Sequence, residues 1–200
     1  LINDPDIDLV VICTPHQFHV EQAGMALEKG KHVVIEKPVA MSSCDFKNLM
    51  DISAKYGKMI FPYHNRRWDG DFLTLRHLIN EGYLGEVLDF ESRFDRYNPA
   101  ITRAEWRYVQ EDGGGNLFDL GPHLIDQAIC LFGVPQSVFC ILHTRRQGSM
   151  VNDDFDLKLI YPNITASLRA GVFVKETGPR FQVHGTFGSF IKYGLDPHEA

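Results

Sequence analysis

Two stretches near the start of the chain carry unbroken β-branched runs: Val33-Val34-Ile35, within residues 31–38 (KHVVIEKP), and Val10-Val11-Ile12, within residues 6–13 (DIDLVVIC). A short continuous apolar run predicts a strand buried on both faces, as in a parallel sheet. Between them, residues 17–29 carry Phe18, Ala23, Ala26 and Leu27 on one stripe, with Gly30 as a stop, and predict a helix. Ser42 is placed to cap a second helix over 43–56, with Phe46, Leu49, Met50 and Ile52 at helical spacing and Gly57 after it. Residues 58–63 (KMIFPY) predict a third strand. The order is β-α-β-α-β with short links, so right-handed crossovers and a parallel sheet follow.

After residues 65–68 (NRRW) the pattern changes. A helix is predicted over 71–81. Residues 85–97 then alternate, with Leu88, Phe90, Ser92 and Phe94 against Val87, Asp89, Glu91, Arg93 and Asp95. Alternation with period two means a sheet with one covered face and one polar face. Residues 138–143, 155–161, 165–174 and 181–184 predict further strands of this kind, with turns at Asn163, Gly178-Pro179 and Gly185. The fold class is therefore α/β followed by α+β. A parallel sheet precedes a mostly antiparallel, open-faced sheet with a helix packed on it, and the boundary falls near residues 63–64.

Composition narrows the function. The 200 residues are 44% hydrophobic with net charge -6, enough for a real core and unlike a basic nucleic-acid binder. No apolar run approaches the ~20 residues that span a bilayer, and no leader pattern opens the chain. Cys13, Cys44, Cys130 and Cys140 show neither CxxC nor zinc spacing, which suits reduced thiols in a cytoplasmic protein.

Two places carry chemistry. Glu36-Lys37-Pro38 put a carboxylate and an ammonium at the carboxyl end of a buried strand, where open α/β sheets bind ligands. A surface ion pair at a strand exit would look the same. The second place is a helix over 113–132, with Leu120, Leu124, Ile125, Ala128, Ile129, Leu131 and Phe132 on a broad apolar arc. Asp119, His123, Asp126 and Cys130 share the opposite stripe. Asp119 and His123, one turn apart, can face each other as a proton-handling pair or lie together on a solvated face. Pro122 either starts this helix or kinks it. Nothing at metal spacing completes a metal site.

Taken in order, CTPHQFH (13–19), GKHVVIEKP (30–38), NRRW (65–68), GYLGE (82–86) and GGGNLFDLGPHLID (113–126) resemble the glucose-fructose oxidoreductase / inositol dehydrogenase (Gfo/Idh/MocA) family. HGTFGSFIKYGLDP (184–197) looks most like its scyllo-inositol-type, NADP-linked branch. The resemblance implies a partial Rossmann-type dinucleotide-binding domain over 1–63. It implies a substrate-binding and oligomerisation domain over 64–200, stopping early at its C-terminus. It also implies hydride transfer between a polyol or sugar C–OH and NADP or NAD. Carried over by position, Lys37, Asp119 and His123 are the catalytic set. Thr14, Pro15, His16, His19, Glu36, Lys37 and Pro38 lie against the cofactor, and His16 stands where the family has asparagine. Arg66, Trp106 and Arg107, with Asp119 and His123, lie against substrate. The family commonly pairs its open sheets, so a homodimer or homotetramer is expected, with no nucleic-acid, membrane or metal partner.

The residues suggest a division of labour. His123 would act as general acid/base, titrating near neutrality, with Asp119 as its orienter and Lys37 as alkoxide stabiliser and proton relay. An aldose, dihydrodiol or glycoside substrate, or a non-catalytic sensor, are the alternatives; a sensor would be expected to lose Lys37 or His123. One departure stands out. The family's Gly-x-Gly-x-x-Gly loop and its adenosine-ribose acid are missing. These 200 residues thus resemble a fragment that binds dinucleotide poorly and is inactive alone.

Overall fold

The computed structural model describes residues 1–101 and 114–195. Its first part is a three-stranded parallel sheet in the order β1-β2-β3, formed by Leu9–Ile12, His32–Ile35 and Ile60–Pro62. Helices α1 (His19–Glu28) and α2 (Ser43–Tyr56) link the strands. Local chemistry sets the ends of α2. The Ser42 hydroxyl accepts the Asp45 N–H at 3.1 Å. Gly57 closes the helix at φ 62, a left-handed conformation that favours glycine.

Both helices pack on one face of this sheet. Ala23, Ala26, Leu27 and Leu49 meet Ile12, Val33 and Ile35 there in one core. The expectation of strands buried on both faces is not met among the described residues. Val11 is 59% exposed and Phe61 46%, in register with the half-buried Val34 on the side opposite the helices.

The second part is a six-stranded sheet in the order β5-β6-β7-β4-β8-β9. Its strands are β4 (Val87–Arg93), β5 (Ser137–His143), β6 (Asp154–Ile160), β7 (Thr165–Ala170), β8 (Phe181–Gly185) and β9 (Ser189–Lys192). Among the described residues of this sheet, only the β4–β7 pair is parallel. The helices here are α3 (Gly70–Asn80), α4 (Asn116–Asp119) and α5 (Gly121–Phe132). Phe90, Phe155, Leu157, Leu168 and Phe181 form the core with Leu124 and Ala128 of α5 and Phe72 and Leu75 of α3. The opposite face carries ion pairs, Arg93 on Glu91 at 2.7 Å and Lys158 on Asp156 at 3.2 Å.

Two details depart from the alternation. A register shift between Val87 and Asp89 turns Val87 toward the core and leaves Leu88 54% exposed. A bulge of this kind moves one residue out of the period-two pattern. β9 is an additional strand, pairing with β8 from Phe181↔Lys192 to His184↔Ser189.

Candidate active site

Lys37 lies just past the end of β2, and the Lys37–Pro38 peptide is cis. Its ammonium crosses from the first sheet to the second part of the molecule. There it donates to the Asp119 carboxylate at 3.0 Å and to the Asp119 backbone carbonyl at 2.5 Å. The carboxylate–ammonium pair is partly buried, so the charge-assisted bond is shielded from bulk water.

The turn carrying Asp119 is held from behind by the β5–β6 connection. The Asn152 carbonyl accepts the Asn116 N–H at 2.8 Å, and the Asn152 side chain accepts the Leu117 N–H at 2.9 Å. Gly115, at φ 100, makes this approach possible, since a Cβ there would lie 2.7 Å from the Asn152 amide nitrogen.

Pro122 starts α5 rather than kinking a longer helix, so Asp119 sits in α4, a separate turn. This alters the expected Asp119–His123 pair. Asp119 holds Lys37, and no hydrogen bond joins it to His123 among the described residues. The His123 ring is buried edge-on to Phe94, and its Nδ1 has no hydrogen-bond partner. Burial, then the charges of Lys37 and Arg66, push its pKa down to about 3, against an upward pull from Asp119. The ring is therefore neutral across the physiological range, not poised near neutrality.

Arg66 reaches the same region. Its guanidinium lies 5.1 Å from the Phe94 ring and 3.2 Å from the Asp69 carboxylate. His64, at the exit of β3, has its pKa lowered by burial, with Asp126 opposing and Arg67 and Lys37 reinforcing. Trp106 and Arg107 lie outside the described residues.

The positions expected against the cofactor divide. Glu36 is half-buried, and its carboxylate accepts the Lys37 N–H at 3.3 Å. A hollow of about 360 Å³ lined by Val11, Cys13, Val34, Glu36 and Tyr63 lies on the uncovered side of the first sheet. His19 does not face it. That ring is fully buried, with Nδ1 2.8 Å from the Pro38 carbonyl and Nε2 2.8 Å from the Thr14 carbonyl. His16 is buried beside it, ring centroids 5.6 Å apart, and the Thr14 hydroxyl donates to Gln22 at 2.9 Å. Pro15 and Pro38 are half-buried at the two strand exits.

Several residues that shape the site were not singled out by pattern. The Arg67 guanidinium grips Asp126 through two bonds of 2.7 and 2.6 Å. Gln127, fully buried, donates to the Arg66 carbonyl at 2.8 Å and accepts from Arg180 at 2.7 Å. A glutamine between Leu124 and Ala128 on an apolar arc was the available signal, because buried amides require partners. Among the described residues no group of three or more His, Cys, Asp or Glu could hold a metal ion, and no helix is long and apolar enough to cross a membrane. All four cysteines are free.

Residues 1–64 match a family model described as an oxidoreductase family with an NAD-binding Rossmann fold, and residues 72–191 match the GFO/IDH/MocA C-terminal domain. The chain belongs to the Gfo/Idh/MocA oxidoreductase family. An uncharacterized oxidoreductase of Escherichia coli, YdgJ, is 46% identical over the whole chain, which covers 57% of that protein. The scyllo-inositol 2-dehydrogenase (NADP(+)) IolW of Bacillus subtilis is 40% identical over the whole chain, covering 55% of its length. The solved structure of the Bacillus subtilis oxidoreductase yvaA superposes with TM-score 0.92 at 40% identity, covering 98% of this chain and 56% of that one. The chain thus spans about half the length of the curated relatives it matches. Within this Gfo/Idh/MocA chain, the first matched region carries Glu36 and Lys37, and the second carries Asp119 and His123.

Proposed function

We propose that the protein is an NAD(P)-dependent dehydrogenase that moves a hydride between a polyol or sugar C–OH, inositol-like in character, and a nicotinamide cofactor. One observation carries this reading: Lys37, from the first sheet, and Asp119, from the second part, meet beside His123. The IolW relative, named for scyllo-inositol and NADP(+), supports the polyol assignment and the cofactor class.

The hollow past β1 and β2 fits a nicotinamide riboside. Val11, Val34 and Tyr63 offer apolar walls for a flat ring, and Glu36 offers a carboxylate to ribose hydroxyls. When bound, the dinucleotide supplies the hydride acceptor. The residues supply position and charge. The Lys37 ammonium, fixed by Asp119, stabilises negative charge developing on the substrate oxygen. Neutral His123, too weak a base at a pKa of about 3 to hold the hydroxyl proton, orients the substrate hydroxyl and relays its proton to solvent water. Asp119 orients Lys37, not the imidazole. Arg66 borders the substrate, and matching sheets of two or four subunits cover the second sheet's open face.

The test is Lys37→Ala and His123→Ala in the full-length protein, followed by the absorbance of reduced nicotinamide with inositols and both cofactors. Each variant is expected to lose roughly 100-fold or more in kcat/KM, the usual scale for a positioned proton-transfer group. Near-wild-type turnover in either variant removes that residue from the mechanism.

A further inference from the structure

We infer that His19 is a positioning residue for the Lys37 ammonium, acting through the backbone and not by contact with a ligand. The inference rests on the dehydrogenase reading for its effect on turnover, and on geometry alone for its effect on Lys37. The sheet stops holding the chain at Glu36, whose N–H donates to the Ile12 carbonyl. Beyond it, the link through Pro38, Val39, Ala40 and Met41 runs to the helix cap at Ser42. Among the described hydrogen bonds, the Pro38 carbonyl to His19 Nδ1, at 2.8 Å, is the one that ties this link back to the body of the protein.

The other ring nitrogen sits 2.8 Å from the Thr14 carbonyl, at the exit of β1. One side chain therefore sits between two neighbouring strand exits, within hydrogen-bond distance of both. Carbonyl oxygens only accept, so the bond needs an N–H from the ring, and the tautomer sets which carbonyl receives it. The residue that precedes Pro38 is Lys37, whose ammonium must reach Asp119 across the molecule. Full burial of His19 leaves no surface through which it could touch cofactor or substrate. Loss of the Pro38 contact frees the Lys37–Met41 link to pivot, and a shift of about 1 Å at a reacting group costs on the order of 100-fold in rate.

The experiment compares wild type, His19→Leu and His19→Gln in the full-length protein by turnover, by dinucleotide titration and by competitive acetylation of lysines read by mass spectrometry. His19→Leu is expected to lower kcat roughly 10- to 100-fold. Dinucleotide Kd should stay within about threefold, and Lys37 should acetylate faster relative to the other lysines as its amine leaves the partly buried pair with Asp119 and gains exposure to the reagent. His19→Gln, which retains N–H donors, is expected to recover part of both effects. A folded His19→Leu protein with wild-type kcat and wild-type Lys37 labelling overturns the inference. So does lost dinucleotide affinity with kcat intact, which would make His19 a ligand contact. If His19→Leu does not fold, the same two criteria apply to His19→Met, which also carries no N–H donor. If wild type oxidises no polyol with either cofactor, the dehydrogenase reading fails, and the Lys37 labelling ratio still decides the role of His19.

Discussion

At the scale of single residues, His123 shows how far an environment can move a side chain from its free behaviour. A histidine on an amphipathic helix is expected near its ordinary pKa of about 6.5. Burial first, then Lys37 and Arg66, bring His123 down to about 3. The sign of the linkage follows. Below pH ~6.5 the unfolded chain binds a proton that the folded chain refuses, so stability is complete above that pH and falls as the pH drops toward 3. The loss approaches about 1.4 kcal/mol per pH unit, or roughly 2 kcal/mol between pH 7 and pH 5. Urea unfolding of wild type and His123→Asn at both pH values measures it, and the variant is expected to lose less on acidification. Equal losses in the two proteins would show that the imidazole is not held neutral. His64 shifts in the same direction, also through burial, and stays in both proteins.

At the scale of elements, legibility tracked how local the determinants are. The second helix could be read to its ends because Ser42, Asp45 and Gly57 lie within or beside it. The Asp119–His123 couple was read from helical spacing and came out differently, because Pro122 begins α5 and sets Asp119 in its own turn. The true partner of Asp119, Lys37, is 82 residues away in sequence, and no periodicity reports such a contact. Gln127 illustrates the same limit. Its two partners, Arg66 and Arg180, lie far apart in the chain, yet Gln127 ties α5 to both the segment bearing Arg66 and the start of β8. Gln127→Leu removes one donor from the Arg66 carbonyl, which keeps the Asp69 N–H, and one acceptor from the buried Arg180 guanidinium, which keeps Ser92, and is expected to cost about 1–3 kcal/mol in all. Asp126→Ala removes a bidentate pair whose Arg67 end is half exposed, and is expected to cost no more than about 1 kcal/mol. Urea midpoints of the two variants rank them, and a Gln127→Leu protein as stable as Asp126→Ala would refute the bridging role.

At the scale of the whole molecule, the change from continuous to alternating apolar runs marked two kinds of sheet, and both are present. What periodicity could not supply is which faces are covered. Continuous runs implied cover on both sides of the first sheet, but α1 and α2 share one side and leave Val11 and Phe61 open on the other. That open side ends at Glu36, beside the hollow assigned to the nicotinamide half of the cofactor. A dinucleotide is held chiefly by its pyrophosphate, through backbone N–H groups of a glycine-rich loop opening a helix. The chain contains no Gly-x-Gly-x-x-Gly, and the nearest approach, Gly113-Gly114-Gly115, lacks the spacing and belongs to the other part of the molecule. Glu36 and the apolar walls can engage a ribose and a flat ring, but they leave two phosphate charges in water. The 200-residue chain is therefore expected to show no saturable micromolar binding of NADP or NAD by titration calorimetry, while the full-length protein binds one of them tightly. Micromolar affinity in the short chain would mean that these residues hold the pyrophosphate by another route, and the assignment of the Glu36 hollow to the nicotinamide half would have to be abandoned.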